Sequence, residues 1–211
     1  MLTLKSPPEK DGRLVKIYKI SKLTRIFLTL IISAKLAMAQ TEIQPYEIVE
    51  NIADIEIRYY PAVMMAKYKS KNPGAGFGKL FNYISGNNNT DTKIAMTTPV
   101  HIQKNQTENS MSFVLPKKFN IDNAPLPNDS SLEVFEGESA YFATIRYSGY
   151  TNESKEKVFS KKLQSVLKEV DIKVSGEPVI LVYNSPYKLI NRRNEIIIPV
   201  IYNSSNNNEW L

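Results

Sequence analysis

The pattern of strands and helices occurs twice along this chain in the same order, and this duplication restricts the possible folds more than any other feature. In the first half an alternating strand begins at Ile55, a turn falls at Pro61, and a second apolar run follows, which together predict a hairpin. Further strands are expected at 93–102 and 111–116. Between these parts, apolar residues recur at the spacing of one face of a short helix, at Phe77, Leu80, Phe81 and Ile84.

The second half repeats the order strand, strand, helix, strand, strand. Residues 132–147 align with the first hairpin, and strands are expected again at 178–183 and 195–202. The Pro-containing stretch 121–131 links the halves, because proline disfavours regular structure across it. A longer helix is predicted from the apolar residues Phe159, Leu163, Val166, Leu167 and Val170. The two repeats therefore cover about 46–118 and 131–202.

Each half alone would leave sheet edges and an apolar face open, so the two halves are expected to close on each other. We predict one α+β domain over residues 40–211, in which a pseudo-twofold repeat forms an eight-stranded antiparallel distorted barrel with two helices. A cleft beside a helix is the natural place for a ligand.

The net charge of +6 lies entirely in residues 1–39, which hold eight basic and two acidic groups. The remaining chain carries 19 of each sign, so the domain has no electrostatic reason to bind nucleic acid. The cationic stretch, the apolar run 26–32 and Ala37-Met38-Ala39 follow the order of a signal peptide, which predicts periplasmic or secreted export. Because the cationic part is long and Lys35 interrupts the apolar part, an uncleaved membrane anchor or an organellar targeting segment remains the alternative.

The chain has no cysteine, which excludes disulfides, thiol catalysis and zinc–thiolate sites. It also lacks a nucleophile elbow, a phosphate loop and any carboxylate pair in a recognisable context. We therefore expect a protein that is not an enzyme.

Four segments, in order and spread over about 150 residues, resemble the SOUL family of haem-binding proteins. The resemblance implies a duplicated barrel related to gyrase-inhibitor-like proteins, haem or other tetrapyrrole binding in several members, and no general enzymatic activity. The segments are Tyr46-Glu-Ile-Val-Glu with Glu56-Ile-Arg-Tyr-Tyr, Ile94-Ala-Met-Thr-Thr-Pro-Val, Tyr147-Ser-Gly-Tyr, and Arg192-Arg-Asn-Glu-Ile.

The resemblance also suggests site residues. Phe77, Leu80, Phe81 and Ile84 correspond to the helix that forms the apolar wall of the family's haem cleft, although each could instead pack on the sheet. Lys188 matches a lysine proposed to bind a haem propionate, and Arg192 and Arg193 could serve similarly. Neighbouring residues on a strand point to opposite faces, so at most one arginine faces the cleft, and the other is expected to pair with Glu195 or Glu56.

The only histidine, His101, is the obvious candidate for an axial iron ligand. The family has no fixed histidine at this position, so we favour a surface or hydrogen-bonded histidine over a metal ligand. Glu195 has another possible role, since gyrase-inhibitor-like barrels hold cationic hydrophobic ligands with an inward acidic residue, and the sequence does not show which way it faces.

Together these features predict a monomeric, non-enzymatic carrier, scavenger or buffer that binds haem or another tetrapyrrole and meets a membrane only through an uncleaved leader. Two alternatives remain. The first is a scaffold that binds a protein or peptide. The second is gyrase-inhibitor-like binding, or even turnover, of hydrophobic cationic molecules through Glu195.

Overall fold

The computed structural model describes residues 41–71, 76–105 and 108–203; the predicted leader lies outside them. This part of the chain contains ten strands and two helices. The helices are α1 (Gly76–Ile84) and α2 (Glu153–Glu169). The strands are β1 (Glu47–Ile52), β2 (Ile55–Tyr60), β3 (Val63–Ser70), β4 (Val100–Lys104), β5 (Asn109–Val114), β6 (Leu132–Gly137), β7 (Ala140–Tyr147), β8 (Lys173–Val174), β9 (Val179–Val182) and β10 (Asn194–Ile201).

The strands form one curled antiparallel sheet in the order β1-β2-β7-β10-β9-β4-β5-β3-β6, and the short β8 pairs with β10. Exchanging β2 with β6, β3 with β7, β4 with β9 and β5 with β10 gives the same order of these eight strands read from the other end, so every strand keeps equivalent neighbours. The predicted α+β fold, a pseudo-twofold distorted barrel with two helices, is therefore confirmed. The strands β1 and β8 are additions to the eight that the repeat contains.

The predicted hairpin at Pro61 is wrong, because β2 and β3 do not pair with each other. β2 pairs with β7, as in Tyr60 with Ala140, and β3 pairs with β6, as in Val63 with Gly137. The register continues unchanged across both corners, so the four strands form one long two-stranded ribbon with a bend. Proline interrupts the hydrogen-bond ladder without reversing the chain, and this interruption produces a corner instead of a turn.

The predicted strand 93–102 is shorter than expected. β4 begins only at Val100, and residues 93–99 run irregularly from the end of α1, where the Ile94 amide donates to the Ile84 carbonyl (2.8 Å). Pro99 cannot donate to a ladder, which is consistent with pairing that starts after it.

Both helices cover the same face of the sheet. Under α1, the buried core includes Leu80, Tyr83 and Phe113, whereas the core under α2 includes Leu163 and Ile196. Because side chains alternate along each strand, the other half of the residues point to the opposite, inner face. The curl of the sheet encloses that inner face.

Candidate functional site

Helix α1 presents only part of its predicted apolar wall to solvent. Leu80 and Ile84 are buried against the sheet, whereas Phe77 and Phe81 are 45% and 47% exposed. The rings of Phe77 and Phe81 stack with their centroids 5.9 Å apart, and Phe77 also meets Phe113 edge-on at 5.4 Å. A solvent-facing aromatic stack of this kind is a candidate ligand surface.

The two exposed phenylalanines lie on the side of α1 that faces β4 and β9. Lys79 marks the other side of the helix, where its ammonium contacts Asp129 at 2.6 Å near the start of β6. On the β4 and β9 side the sheet is incompletely covered, since Val100 and Val182 are only partly buried. The helix-covered face therefore has an open apolar surface beside α1.

The loop between β9 and β10 carries three strongly exposed apolar residues. Tyr187 is 90% exposed, and Leu189 and Ile190 are each 75% exposed. Lys188 lies among them and makes no recorded ion pair within residues 41–71, 76–105 and 108–203. Apolar side chains with this exposure favour contact with a ligand or partner.

The side chain of Arg192 forms hydrogen bonds with the backbone of this loop. Its guanidinium is buried and donates to the carbonyls of Ser185 (2.7 Å) and Lys188 (2.8 Å), and more weakly to that of Asn184 (3.4 Å). The guanidinium also lies 4.3 Å from the ring centroid of Tyr150. The exposed loop is therefore fixed by hydrogen bonds from an internal cation.

The strand register places this loop beside α1. Phe113 pairs with Val100, and Val100 pairs with Val182, so these residues form a row across β5, β4 and β9. Two strand spacings separate Phe113 from Val182, which is roughly 10 Å. The loop begins shortly after Val182, so the exposed rings of α1 and the loop flank the same open surface.

The inner face contains a buried charged cluster centred on Glu195. The Glu195 carboxylate accepts hydrogen bonds from Arg58 Nη1 (2.8 Å), Arg58 Nη2 (3.2 Å), Arg193 Nε (2.9 Å) and the Tyr183 hydroxyl (2.8 Å). Arg58 also pairs with Glu56 through its Nε, at 2.6 Å. All available positions around the carboxylate are thus used by residues of the protein.

The electrostatics of the cluster favour an ionised Glu195. Burial alone would raise the pKa of Glu195, but the hydrogen bond to Arg58 and the attraction of Arg58 and Arg193 outweigh burial and lower it. Burial raises the pKa of Tyr183 far above its ordinary value, so its hydroxyl stays protonated and donates. The sequence expectation that one arginine pairs with Glu195 agrees with this arrangement, in which Arg193 is the partner.

The remaining site candidates have internal contacts. Arg192 binds loop carbonyls and Arg193 binds Glu195, so a role for either in holding propionates stays a prediction. His101 lies on β4 on the inner face, where its Nε2 donates to Gln44 Oε1 (2.7 Å), and burial lowers its pKa to about 4.

Among the residues described, no group of three or more His, Asp, Glu or Cys side chains could hold a metal ion. Within the same residues, no helix is long and apolar enough to span a membrane.

The inner-face residues Arg58, Tyr60, Lys67 and Tyr183 are not predicted from the sequence as site residues. A signal was available, because polar residues alternate with apolar ones along β2 and along the second half of β3. Without knowing which strands pair, that alternation does not tell a solvent-facing side from an enclosed one.

A curled antiparallel sheet with two helices on one face and an enclosed charged interior defines a class of small barrel domains. The C-terminal domain of EcmrR has this fold (TM-score 0.51, 10% identity, 75% of this chain and 99% of that one). So does a hydrolase from Listeria innocua (TM-score 0.51, 9% identity, 80% of this chain and 97% of that one). At such low identity these likenesses show the fold alone.

Within this class, the chain belongs to the SOUL heme-binding protein family, whose model matches residues 41–199. It is 32% identical to "Heme-binding protein 2" of Homo sapiens over 130 residues, covering 57% of this chain and 62% of that protein. It is 28% identical to "Heme-binding protein 1" of Xenopus laevis over 129 residues, covering 57% of this chain and 67% of that protein. The chain thus spans less than two thirds of the human relative.

Proposed function

We propose that this protein binds haem or another tetrapyrrole on the open surface between α1 and the β9–β10 loop, without performing chemistry on it. The observation that carries the proposal is the stacked, half-exposed pair Phe77 and Phe81, which shares this surface with the loop residues Tyr187, Leu189 and Ile190. The names of the relatives support the choice of ligand, since they are called heme-binding proteins. The role follows as a carrier, scavenger or buffer.

The residues on this surface fit a haem. A porphyrin needs two apolar walls, and the aromatic stack on α1 and the loop side chains supply them. Its two propionates need cations, and Lys188 is exposed at the centre of the loop. When bound, haem would supply an iron centre whose visible absorption reports on its surroundings. The protein's own contribution would be to cover the porphyrin faces and orient the propionates.

Hemin titration of the domain tests the proposal. We expect a saturable Soret shift, and at least a tenfold weaker affinity for the double variant Phe77→Ser/Phe81→Ser, because two aromatic contacts are lost at about 25 cal/mol per Å² of apolar surface. Val158→Ser, an exposed position on α2, serves as the matched control and should bind as the unaltered protein does. Absence of a saturable shift in the unaltered protein would refute haem as the ligand.

Lys188 provides a second, smaller test. Lys188→Ala should weaken hemin binding about two- to fivefold, because one exposed charge-assisted contact to a propionate is lost. The same substitution should leave the affinity for hemin dimethyl ester unchanged, since the ester has no propionate charge. Equal losses for hemin and its ester would contradict the role of Lys188 as a propionate partner.

The same exposed loop also favours a second candidate function, a scaffold that binds a protein or peptide. Tyr187, Leu189 and Ile190 are strongly exposed apolar side chains of one loop, and they could contact a partner equally well. Recovery of one specific partner by the apo protein, with hemin unable to displace it, would support the scaffold. Binding of cationic hydrophobic molecules through Glu195 has less support, because Arg58, Arg193 and Tyr183 already occupy that carboxylate.

Export and a monomeric state are further parts of the proposal. The separation of charge supports export, since the whole net positive charge precedes residue 40. N-terminal sequencing of protein recovered outside the cytoplasm of the native host would test cleavage after Ala39. Light scattering on the purified protein would test the oligomeric state.

A further inference from the structure

A cavity of about 230 Å³ lies on the inner face of the sheet, away from the surface flanked by α1 and the β9–β10 loop. Both halves of the chain contribute to it. Its polar lining consists of Gln44, Lys67, His101, Gln103, Ser110, Ser112 and Glu138, and its apolar lining includes Val63, Met65, Phe135, Phe142, Val179 and Ile197. Such a combination of apolar walls and a few convergent polar groups is typical of a small-molecule site.

Lys67 is the one lysine or arginine in this lining. It lies on β3 directly opposite Ser112 of β5, which in turn lies opposite His101 of β4, so the three side chains form a row across the sheet. The Lys67 ammonium sits 4.0 Å from the ring centroid of Phe135, and among the described residues it has no recorded hydrogen bond or ion pair. The cavity therefore contains a cation whose main neighbour is an aromatic ring.

The acidic groups nearby do not neutralise Lys67. Glu133 lies opposite it on β6 but pairs with the exposed Lys69 at 4.0 Å, and Glu138 is an exposed residue of the β6–β7 corner. Burial lowers the pKa of Lys67, and the attraction of Glu133 offsets this effect only in part, which agrees with an ammonium that makes no ion pair. A partly buried charge without a partner is unfavourable, and a bound anion would relieve it.

The cavity and the charged cluster divide the inner face between them. Tyr60 accepts a hydrogen bond from Arg58 and also lines the cavity, so it marks the border. On the cluster side the Glu195 carboxylate is saturated by two arginines and a tyrosine. On the cavity side the partly buried charge is the Lys67 ammonium, whereas the carboxylate of Glu138 lies at an exposed position, so the interior of the cavity favours anions over cations.

We propose that this cavity is a second ligand site, which binds a small carboxylate with an aromatic or short aliphatic body. The Lys67 ammonium would contact the carboxylate, the hydroxyls of Ser110 and Ser112 would donate to it, and Phe135 and Phe142 would cover the apolar body. A volume of about 230 Å³ is below the roughly 300 Å³ at which pockets for drug-sized ligands begin, so a haem does not fit there. The site is therefore independent of the haem surface.

Calorimetric titration with phenylacetate and phenethylamine tests the proposal on the unaltered protein. The two probes share a phenyl ring and differ in the sign of their charge. We expect phenylacetate to bind at least tenfold more tightly, because it forms a charge-assisted contact with Lys67 where phenethylamine meets like charge. Equal affinity for the two probes, or no binding of phenylacetate, would overturn the proposal.

Variants then assign the contact. Lys67→Met, which keeps the length of the side chain, should weaken phenylacetate binding at least tenfold, whereas Lys69→Met on the same strand should leave it unchanged. Lys67→Met should not change the hemin affinity, and phenylacetate should not compete with hemin. The proposal of a separate anion site is wrong if Lys67→Met binds phenylacetate like the unaltered protein, or if hemin displaces phenylacetate. The first of these results is independent of whether the protein binds hemin.

Discussion

Glu195→Gln should lower the free energy of unfolding by about 3–5 kcal/mol, because it leaves two guanidiniums without their buried anion. Glu195 is completely buried and pairs with both Arg58 and Arg193, of which Arg58 has Glu56 as a second, more exposed partner. Urea denaturation followed by circular dichroism would measure the loss. The glutamine has nearly the same shape, so the comparison isolates the charge.

Glu56→Gln is the matched control for this substitution. Glu56 also pairs with Arg58, but its side chain is 33% exposed, so its replacement should cost less than about 1 kcal/mol. A cost for Glu195→Gln that is no larger than that for Glu56→Gln would show that the cluster does not depend on Glu195.

The difference in the free energy of unfolding between the unaltered protein and Glu195→Gln should depend on pH. The pKa of Glu195 is lower in the folded protein than in the unfolded chain, where it is about 4.3. Its contribution is therefore fully present well above that pH and is lost as the pH falls through the lower folded pKa. The stability difference between the unaltered protein and Glu195→Gln should accordingly shrink in acid, whereas the effect of His101 cancels because both proteins contain it.

Arg192→Met should lower the free energy of unfolding by about 2–4 kcal/mol and loosen the β9–β10 loop. The substitution removes the charge-assisted hydrogen bonds to the carbonyls of Ser185 and Lys188 and the contact with Tyr150. Hydrogen exchange at residues 185–190 should become faster, which mass spectrometry can follow. Arg146→Met, at an exposed position on β7, should change stability by less than about 0.5 kcal/mol.

This experiment also separates two roles for Arg192. If it acts by positioning the loop, the apo protein is destabilised and the affinities for hemin and its dimethyl ester fall together. If it binds a propionate directly, only the hemin affinity falls and the apo protein keeps its stability. The internal contacts of the guanidinium predict the first result.

The fold could be predicted from the sequence because each element has a clear local period. The helical spacing that begins at Phe77 and the alternation of apolar and polar residues in β2 are local properties, and they identify these elements correctly. The pairing of β2 with β7 instead of β3 is not local. It depends on which surfaces become buried together, and a proline between two apolar runs is compatible with either a turn or a corner.

The site was predictable to a smaller extent. An apolar helix face shows which residues can be buried, but not which edge of that face stays open, so Leu80 and Phe81 could not be told apart. The adjacent arginines have different roles because Arg193 belongs to the row of residues around Glu195, whereas Arg192 lies beneath a loop. Those roles follow from tertiary contacts between distant parts of the chain.

The bent ribbon has a consequence for the order of events during synthesis. Tyr60 emerges from the ribosome about 80 residues before its partner Ala140, and Ile55 about 90 residues before Ile145. The first two strands of the barrel therefore cannot complete their pairing until the second half has been translated. Pairings of such long range are slow to form. Within the first half β2 can pair with β1 and β3 with β5, but the other edge of β2 and of β3 must stay open while translation proceeds.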